Sequence, residues 1–375
     1  MADPDYGGQE QARILQNTAA ASSTTMHDLR RQDLMKCSLE SFRLLAQIGI
    51  GNTAKLFLGK IPDTQNPYAI KVIKKKQLID NCETSYARIE RDILIKARKH
   101  AHPFIIELYS TFRTECSLCF VMEYAAGGDL SFHMQKKPLG VDGARFYAAE
   151  ICLALKFLHE NNILYRNLKG EHVLLCQDGH VKLIGFGISK ELPGPNGKTA
   201  SFCGTQEFMA PEILLDKSYG IAVDWWSFGV LLYQMLTNTS PFLGEDADEI
   251  YDAILANDLR CLTPIPEHAQ TIVVALLERW PKERLGSREG FEEVKLHAFF
   301  QDIDWGALYE KRIEPPSVPT LQDATDLSNF DAELTNIVPN PETTTSGLSL
   351  EQQENFREFD YDSKWFRRRS SEASV

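Results

Sequence analysis

Two glycines between two alternating segments constrain how the folded part of this chain begins. In F-R-L-L-A-Q-I-G-I-G-N-T-A-K-L-F-L-G-K, Phe42 to Lys60, apolar residues alternate on both sides of Gly49 and Gly51. Such alternation predicts two strands joined by a turn. The glycines also fit the first two positions of the phosphate-binding pattern G-x-G-x-x-G, whose third position is Ala54 here. Since any tight hairpin can carry two glycines, the motif alone leaves both interpretations open.

Further strand and helix patterns follow this hairpin. Y-A-I-K-V-I, Tyr68 to Ile73, predicts a strand, and the segment from His102 to Tyr124 predicts two more. Ala144 to Asn161 has apolar residues at helical spacing. Before the hairpin, residues 1–41 are polar and predict a flexible tail, with at most a short helix near Met26 to Leu34.

Composition excludes several classes of protein. A net charge of −12 argues against nonspecific binding to nucleic acid or to an acidic membrane surface. Eight cysteines without a pairing rhythm predict a reduced, cytoplasmic protein. Cys116 and Cys119 predict a hairpin rather than a zinc site, since no further ligands follow at suitable spacing. No apolar run is long enough to span a bilayer, and the start shows no signal-peptide pattern.

Two segments resemble the chemical centre of protein kinases. I-L-Y-R-N-L-K-G-E-H-V-L-L (163–175) and V-K-L-I-G-F-G (181–187) are similar to the family's patterns H/Y-R-D-L-x-x-x-N and D-F-G. Arg166 and Lys169 are retained. By this resemblance, Asn167 replaces the proton-accepting Asp, His172 the metal-binding Asn, and Gly185 the metal-binding Asp.

The resemblance covers about Phe42 to Phe300 and continues into a tail. The A-P-E motif with Glu212, the V-D-W-W-S-F-G segment with Asp224 and the P-K-E-R-L-G segment with Arg284 follow in the family's order. P-P-S-V-P, N-F-D and F-R-E-F-D-Y resemble the C-terminal extension of the protein kinase A/G/C group, most closely protein kinase C and its Rho-linked relatives.

This resemblance implies an α+β, bilobal fold with a small β-rich lobe and a larger helical lobe. The expected divisions are a flexible tail (1–41), a kinase-like domain (42–300, with lobes at about 42–123 and 124–300), a C-terminal extension (301–366) and a basic, serine-containing tail (367–375).

The resemblance also implies a nucleotide cleft. Lys71 would pair with Glu90 and hold phosphates, and backbone groups near Glu123 and Ala125 would meet the adenine edge. The complete implied set is Gly49, Gly51, Leu56, Ala69, Lys71, Glu90, Glu123, Ala125 and Leu174. An internal stack of apolar residues maps to Leu94, Leu108, Tyr165 and Phe186. Alternatively, these residues only pack the two lobes together.

Regulatory positions are implied in two places. Ser201 occupies the activation-loop phosphorylation site, with Arg166 and Lys190 placed to receive a phosphate. In F-R-E-F-D-Y, Phe356 and Phe359 would anchor the tail on the small lobe, and Asp360 would supply a permanent charge where relatives have Ser or Thr.

A substrate groove is implied by Asp129 and Glu171, which match acidic positions that contact arginines before the phosphoacceptor. Arg367 to Arg369 have the shape of such a substrate. They would occupy this groove or a partner's, or form a solvated basic tail.

The three replacements alter the expected chemistry. Gly185 offers no ligand, and the His172 nitrogen suits softer metals than Mg²⁺. The Asn167 amide is too weak a base to take a proton, and loss of a general base costs roughly 10²–10⁴ in rate. We therefore expect no metal site, no bound Mg²⁺ and at most weak, metal-independent ATP binding.

Three hypotheses follow from the sequence. The first is a pseudokinase that binds protein partners, such as an active kinase, a substrate or an adaptor. The second is a slow Ser/Thr kinase that uses Glu171 or Asp178 as a substitute carboxylate. The third is a nucleotide-responsive switch without turnover.

Overall fold

The strands lie mainly at the amino-terminal end of the folded chain in a computed structural model, which describes residues 37–260, 265–341 and 347–363. The first five strands are Arg43–Ile50 (β1), Ala54–Lys60 (β2), Pro67–Lys74 (β3), Leu108–Arg113 (β4) and Ser117–Glu123 (β5). They pair antiparallel in the order β1-β2-β3-β5-β4. The turn between β4 and β5 contains Cys116, which confirms the predicted hairpin.

Both faces of this sheet are covered. Successive side chains of a strand point to opposite faces, and β3 buries its consecutive residues Ala69 and Ile70 in two different cores. The core around Ile70 is closed by Leu39 and Phe42, which precede β1. The core around Ala69 is continuous with that of the large lobe.

Two helices follow β3, Lys75–Asp80 (α1) and Thr84–Lys99 (α2). The buried residues of α2 recur every three or four positions, which gives one stripe along the helix. They are Ala87, Glu90, Ile93, Leu94 and Ala97. The carboxylate of Glu90 therefore points inward.

The large lobe is helical. Its helices are Leu130–Lys136 (α3), Gly140–Glu160 (α4), Pro211–Leu214 (α5), Ala222–Thr237 (α6), Ala247–Ala256 (α7), Glu267–Leu276 (α8) and Phe291–Lys295 (α9). Trp225, Trp226 and Phe228 are all fully buried on α6. A helix that is buried on every side lies at the centre of its lobe.

Two short antiparallel ladders lie between α4 and α5. Ile163–Leu164 (β6) pairs with Lys190–Glu191 (β9), and Val173–Leu175 (β7) pairs with Val181–Leu183 (β8). These pairs fix the loop 165–172, which connects β6 to β7, beside the loop 184–189, which connects β8 to β9.

The segment after the large lobe returns to the small lobe. It carries Trp305–Tyr309 (α10), Ala332–Thr335 (α11), Leu350–Glu354 (α12) and Tyr361–Asp362 (β10). β10 pairs antiparallel with β4 and becomes the sixth strand of the sheet.

The predicted α+β architecture with a small β-rich lobe and a larger helical lobe is confirmed. Within the described ranges, no helix is long and apolar enough to cross a membrane. The predicted helix near Met26 to Leu34 and the basic segment Arg367 to Arg369 lie outside the described residues.

Candidate functional site

The β1–β2 hairpin presents bare backbone at its turn. The Gly51 N–H donates to the Ala54 carbonyl over 2.8 Å, which closes the turn. A Cβ atom on Gly51 would meet only that carbonyl oxygen, at 3.8 Å. Packing therefore does not require glycine at position 51. The presence of glycine there is consistent with a hairpin backbone that a ligand can approach closely.

Lys71 and Glu90 connect the sheet to α2. The Lys71 Nζ donates to both carboxylate oxygens of Glu90 at 2.7 Å, and the Glu90 side chain is only 5% exposed. The ammonium also lies 5.6 Å from the centroid of the Phe120 ring. The structure thus brings together the two residues whose pairing the resemblance implied, in a half-buried position that strengthens charge interactions.

The segment after β5 joins the two lobes. The Glu123 carboxylate is paired with Lys182 at 2.6 Å, and its backbone N–H donates to Glu107. Ala125 is buried two residues further on. Leu174 is partly buried against the core that contains Ala69, while Leu56 on β2 is also partly exposed.

The loop 165–172 is anchored by Asp224, which lies on α6 and is fully buried. Its carboxylate accepts the backbone N–H groups of Tyr165 at 2.9 Å and Arg166 at 2.7 Å. It also accepts from His159 Nε2 at 2.8 Å. Arg166 has a positive φ of 64°, and these bonds hold its strained backbone in place.

Asn167, His172 and Gly185 contact one another. The Asn167 side-chain amide donates to the Gly185 carbonyl at 2.6 Å, and His172 Nδ1 donates to the Asn167 carbonyl at 2.7 Å. A Cβ built on Gly185 would lie 3.0 Å from His172 Nδ1, so the imidazole covers this glycine. Burial lowers the pKa of His172 to about 4, so its ring is neutral at neutral pH.

Lys169 lies immediately before the short 3-10 turn Gly170–His172 and is partly exposed. Its positive charge further disfavours protonation of His172.

The internal stack of apolar residues is assembled. Leu94, Leu108, Tyr165 and Phe186 are all fully buried in the main core. The rings of Tyr165 and Phe186 lie 5.3 Å apart between centroids. The Tyr165 hydroxyl donates to the Ile184 carbonyl, which ties the two loops to each other.

Ser201 lies exposed in the segment 192–210, which connects β9 to α5 and which by the resemblance is the activation segment. Two positive side chains lie near it. Arg166 Nη1 donates to the Ser201 hydroxyl at 2.6 Å. Lys190 does not contact Ser201 directly; its Nζ donates to Thr199 Oγ1 at 2.8 Å, and that oxygen lies 3.2 Å from Ser201 Oγ. Arg166 therefore makes the expected contact with Ser201 directly, whereas Lys190 is connected to the serine through the Thr199 hydroxyl.

The predicted acidic groove residues differ in environment. Asp129 caps α3 by accepting the Phe132 N–H at 2.9 Å, and burial raises the pKa of its carboxyl group. Glu171 is exposed in the 3-10 turn. The nearby negative charge of Glu171 adds to the rise in the pKa of Asp129.

The tail residues Phe356 and Phe359 are buried on the small lobe. The rings of Phe359 and Phe120 pack edge to face, with centroids 5.2 Å apart. Asp360 is paired with Arg113 at 3.2 Å. All three residues therefore lie where the sequence expected a docked tail.

The N-F-D segment also contacts the interlobe connection, although the sequence suggested it only as a mark of the family. Phe330 stacks on Tyr124 with ring centroids 5.6 Å apart, and Asn329 donates to the Ala126 carbonyl at 3.2 Å. Position 128 must be glycine for this approach, because a Cβ there would lie 2.3 Å from the Asn329 carbonyl oxygen.

The distribution of possible metal ligands is simple. Among the residues that the structure describes, no group of three or more His, Cys, Asp or Glu side chains could hold a metal ion.

Comparison with known proteins gives two family matches. Residues 42–300 match the family model described as protein kinase domain. Residues 321–361 match the one described as protein kinase C terminal domain.

Individual relatives agree with these matches. The chain is 48% identical to protein kinase C of Aspergillus fumigatus over 332 residues, which are 88% of this chain and 30% of the relative. It is 48% identical to a protein kinase C-like protein of Cochliobolus heterostrophus over 327 residues, 87% of this chain and 28% of the relative. Identity to serine/threonine-protein kinase N2 of Danio rerio is 39% over 370 residues, 97% of this chain and 38% of the relative.

The chain thus spans about a third of the length of these curated relatives. The kinase-domain match alone covers more than half of the chain, and the tail match follows it in sequence. The chain therefore belongs to the protein kinase family and carries the C-terminal extension of the protein kinase A/G/C group.

Proposed function

We propose that this chain is a pseudokinase, which keeps a nucleotide cleft and regulates protein partners without efficient phosphoryl transfer. The observation that carries the proposal is the hydrogen bond that the Asn167 side chain donates. Its side-chain amide donates to the Gly185 carbonyl at 2.6 Å, so the group at the position of the family's general base is engaged as a donor. An amide in this role cannot remove a proton from a substrate hydroxyl.

A nucleotide fits the residues that line the cleft. Lys71 is held by Glu90 in the arrangement with which the family contacts phosphates. Gly51 leaves the backbone of the hairpin open, whereas the Leu56 side chain packs at the Cβ position of Gly49. Ala69 would offer a small apolar surface to the base. Lys71 and Lys169 would offset phosphate charge in the proposed complex.

Magnesium does not fit the same site. Mg²⁺ takes oxygen ligands in octahedral geometry. Gly185 supplies no side chain, and the His172 ring covers the space where one would begin. The proposed nucleotide complex is therefore free of divalent cations, and no transfer step is assigned to a metal.

The proposal includes protein partners, which would bind to surfaces of the chain that do not take part in phosphoryl transfer. Asp129 and Glu171 would contact basic residues of a partner or substrate. The docked tail covers part of the small lobe with Phe356 and Phe359, and this composite surface would be available to a partner. In this proposal the chain regulates its partners by binding them and not by transferring a phosphoryl group to them.

A second candidate function is an active Ser/Thr kinase of low turnover. The names of the relatives and the intact Lys71–Glu90 pair favour it. The suggested substitute carboxylates do not, because Asp178 is paired with Lys311 at 2.9 Å and Glu171 is exposed.

The two functions are separated by thermal unfolding with ATP, with and without Mg²⁺, beside a radiolabelled transfer assay. Pseudokinase behaviour predicts a Tm increase that needs no Mg²⁺, is lost in Lys71→Ala, and comes with no transfer above background. Transfer that disappears in Lys71→Ala would establish the kinase instead. If neither shift nor transfer is seen, the nucleotide part of the proposal is wrong and only the role in binding partners remains.

A further inference from the structure

The three replaced residues are neighbours in space as well as in function. Asn167 donates from its side chain to Gly185 and accepts at its backbone from His172, with distances of 2.6 and 2.7 Å. Three atoms of the His172 ring lie 3.0 to 3.1 Å from the position of a Cβ on Gly185. Contacts of 3.0 to 3.1 Å are tighter than ordinary packing, so a side chain at position 185 would require the His172 ring to shift by a few tenths of an ångström.

The backbone at Gly185 adds a second requirement. Its φ of +79° lies in the left-handed region, which glycine adopts without steric cost. The neighbouring Ile184 N–H donates to the His172 carbonyl at 3.0 Å, so both the ring and the backbone of His172 contact the 184–185 segment.

These contacts link two loops that the family joins through metal ions. The imidazole is neutral and is held by a carbonyl, so it brings no charge that would need compensation. Phe186, the next residue, is fully buried in the apolar stack.

We propose that Asn167, His172 and Gly185 form one interlocked unit that replaces the metal ions as the connection between the two loops. The unit keeps the stack around Phe186 assembled and excludes divalent cations until more than one of its members is changed. This inference rests on the proposed function only for the cation-free state of the cleft.

The steric part is tested without any ligand by a double-mutant cycle on the Tm. Gly185→Ala should lower the Tm more than Gly140→Ala, since Gly140 has a similar φ of +70° but no atom within 4 Å of its Cβ position. His172→Ala should also lower the Tm. The double variant His172→Ala/Gly185→Ala should lose less than the sum of the two single losses, because the ring no longer opposes the new methyl group.

Additive losses, or equal effects of Gly185→Ala and Gly140→Ala, would overturn the interlock. If a variant fails to fold, hydrogen exchange of residues 184–188 in His172→Asn gives the same information. Faster exchange there is expected, whereas exchange at the wild-type rate contradicts the inference.

The metal part is tested with Mn²⁺, whose binding is followed by electron paramagnetic resonance in the presence of ATP. The wild type and the single variants His172→Asn and Gly185→Asp should bind Mn²⁺ at least tenfold more weakly than the double variant His172→Asn/Gly185→Asp. Tight binding by the wild type or by either single variant would overturn metal exclusion. If the wild type binds no nucleotide, the proposed function fails in that respect, and the ligand-free cycle still decides whether the three residues interlock.

Discussion

The rings of Phe359 and Phe120 pack edge to face at an interplanar angle of 79°, and this contact fixes the tail to the six-stranded sheet. Around it, Thr111 Oγ1 donates to the Phe359 carbonyl at 2.6 Å, and Arg91 lies 5.8 Å from the Phe359 ring centroid. Asp360 is paired with Arg113, but its side chain is 54% exposed.

Phe359→Ala should therefore detach the tail, whereas Asp360→Asn should not. Removing a buried Phe costs about 3–5 kcal/mol in a core, and an exposed ion pair contributes about 0–1 kcal/mol. We expect Phe359→Ala to lower the Tm and to accelerate hydrogen exchange at residues 359–363. Val338→Ala is the matched control on the same tail, since Val338 is 81% exposed. Equal effects of Phe359→Ala and Asp360→Asn would show that charge dominates the docking.

Gly128→Ala should displace the N-F-D segment from the interlobe connection. The substitution places a Cβ 2.3 Å from the Asn329 carbonyl at a φ of +72°. Gly140→Ala meets the same backbone cost of about 1–2 kcal/mol with no neighbour to displace. We expect a larger loss of stability for Gly128→Ala in denaturant unfolding, together with faster exchange at residues 326–331. Losses of equal size would mean that the tail segment moves aside freely.

Stability should fall on acidification partly through His172. Burial lowers its folded-state pKa to about 4, whereas an unfolded histidine titrates near 6.5. Between these values the unfolded chain takes up a proton that the folded chain refuses, so the free energy of unfolding decreases as the pH falls from about 6.5 to 4.

The expected contribution of this histidine is about 3 kcal/mol over that pH range. His172→Gln should flatten the dependence of unfolding free energy on pH in this window. His102 is the comparison, because burial also lowers its pKa to about 4. His102→Gln should flatten the pH dependence of the unfolding free energy by a similar amount. An unchanged slope in His172→Gln would show that the ring is solvated.

Phosphoserine at position 201 should raise the Tm by ordering the activation segment. Arg166 Nη1 already lies 2.6 Å from the hydroxyl, so a phosphate would gain charge-assisted hydrogen bonds at once. The gain should decrease strongly in Arg166→Ala and only in part in Lys190→Ala, because Lys190 acts through Thr199. A phosphorylated chain with the Tm of Ser201→Ala would contradict this role.

Local sequence patterns predicted much of the fold for physical reasons that can be named. Alternation around Gly49 and Gly51 marked β1 and β2. Helical spacing from Ala144 to Asn161 marked most of α4, which in the structure begins earlier, at Gly140, and ends at Glu160. The separation of Lys71 from Glu90 could be interpreted only through the family order. Once β3 and α2 pack together, their pairing follows.

Other features depend on tertiary contacts that no local pattern encodes. β10 comprises two residues, and it is a strand only because β4 offers a free edge beside the docked phenylalanines. The cover of Gly185 by His172 depends on the orientation of a ring across two loops. The sequence indicated that both residues were replaced, but not that the two replacements fit each other.

Asp224 receives three hydrogen bonds, two of them from the backbone N–H groups of Tyr165 and Arg166. None of them depends on the side chain at position 167. The anchoring of the loop backbone therefore does not depend on which side chain stands at position 167, so this residue can change while the loop keeps its position.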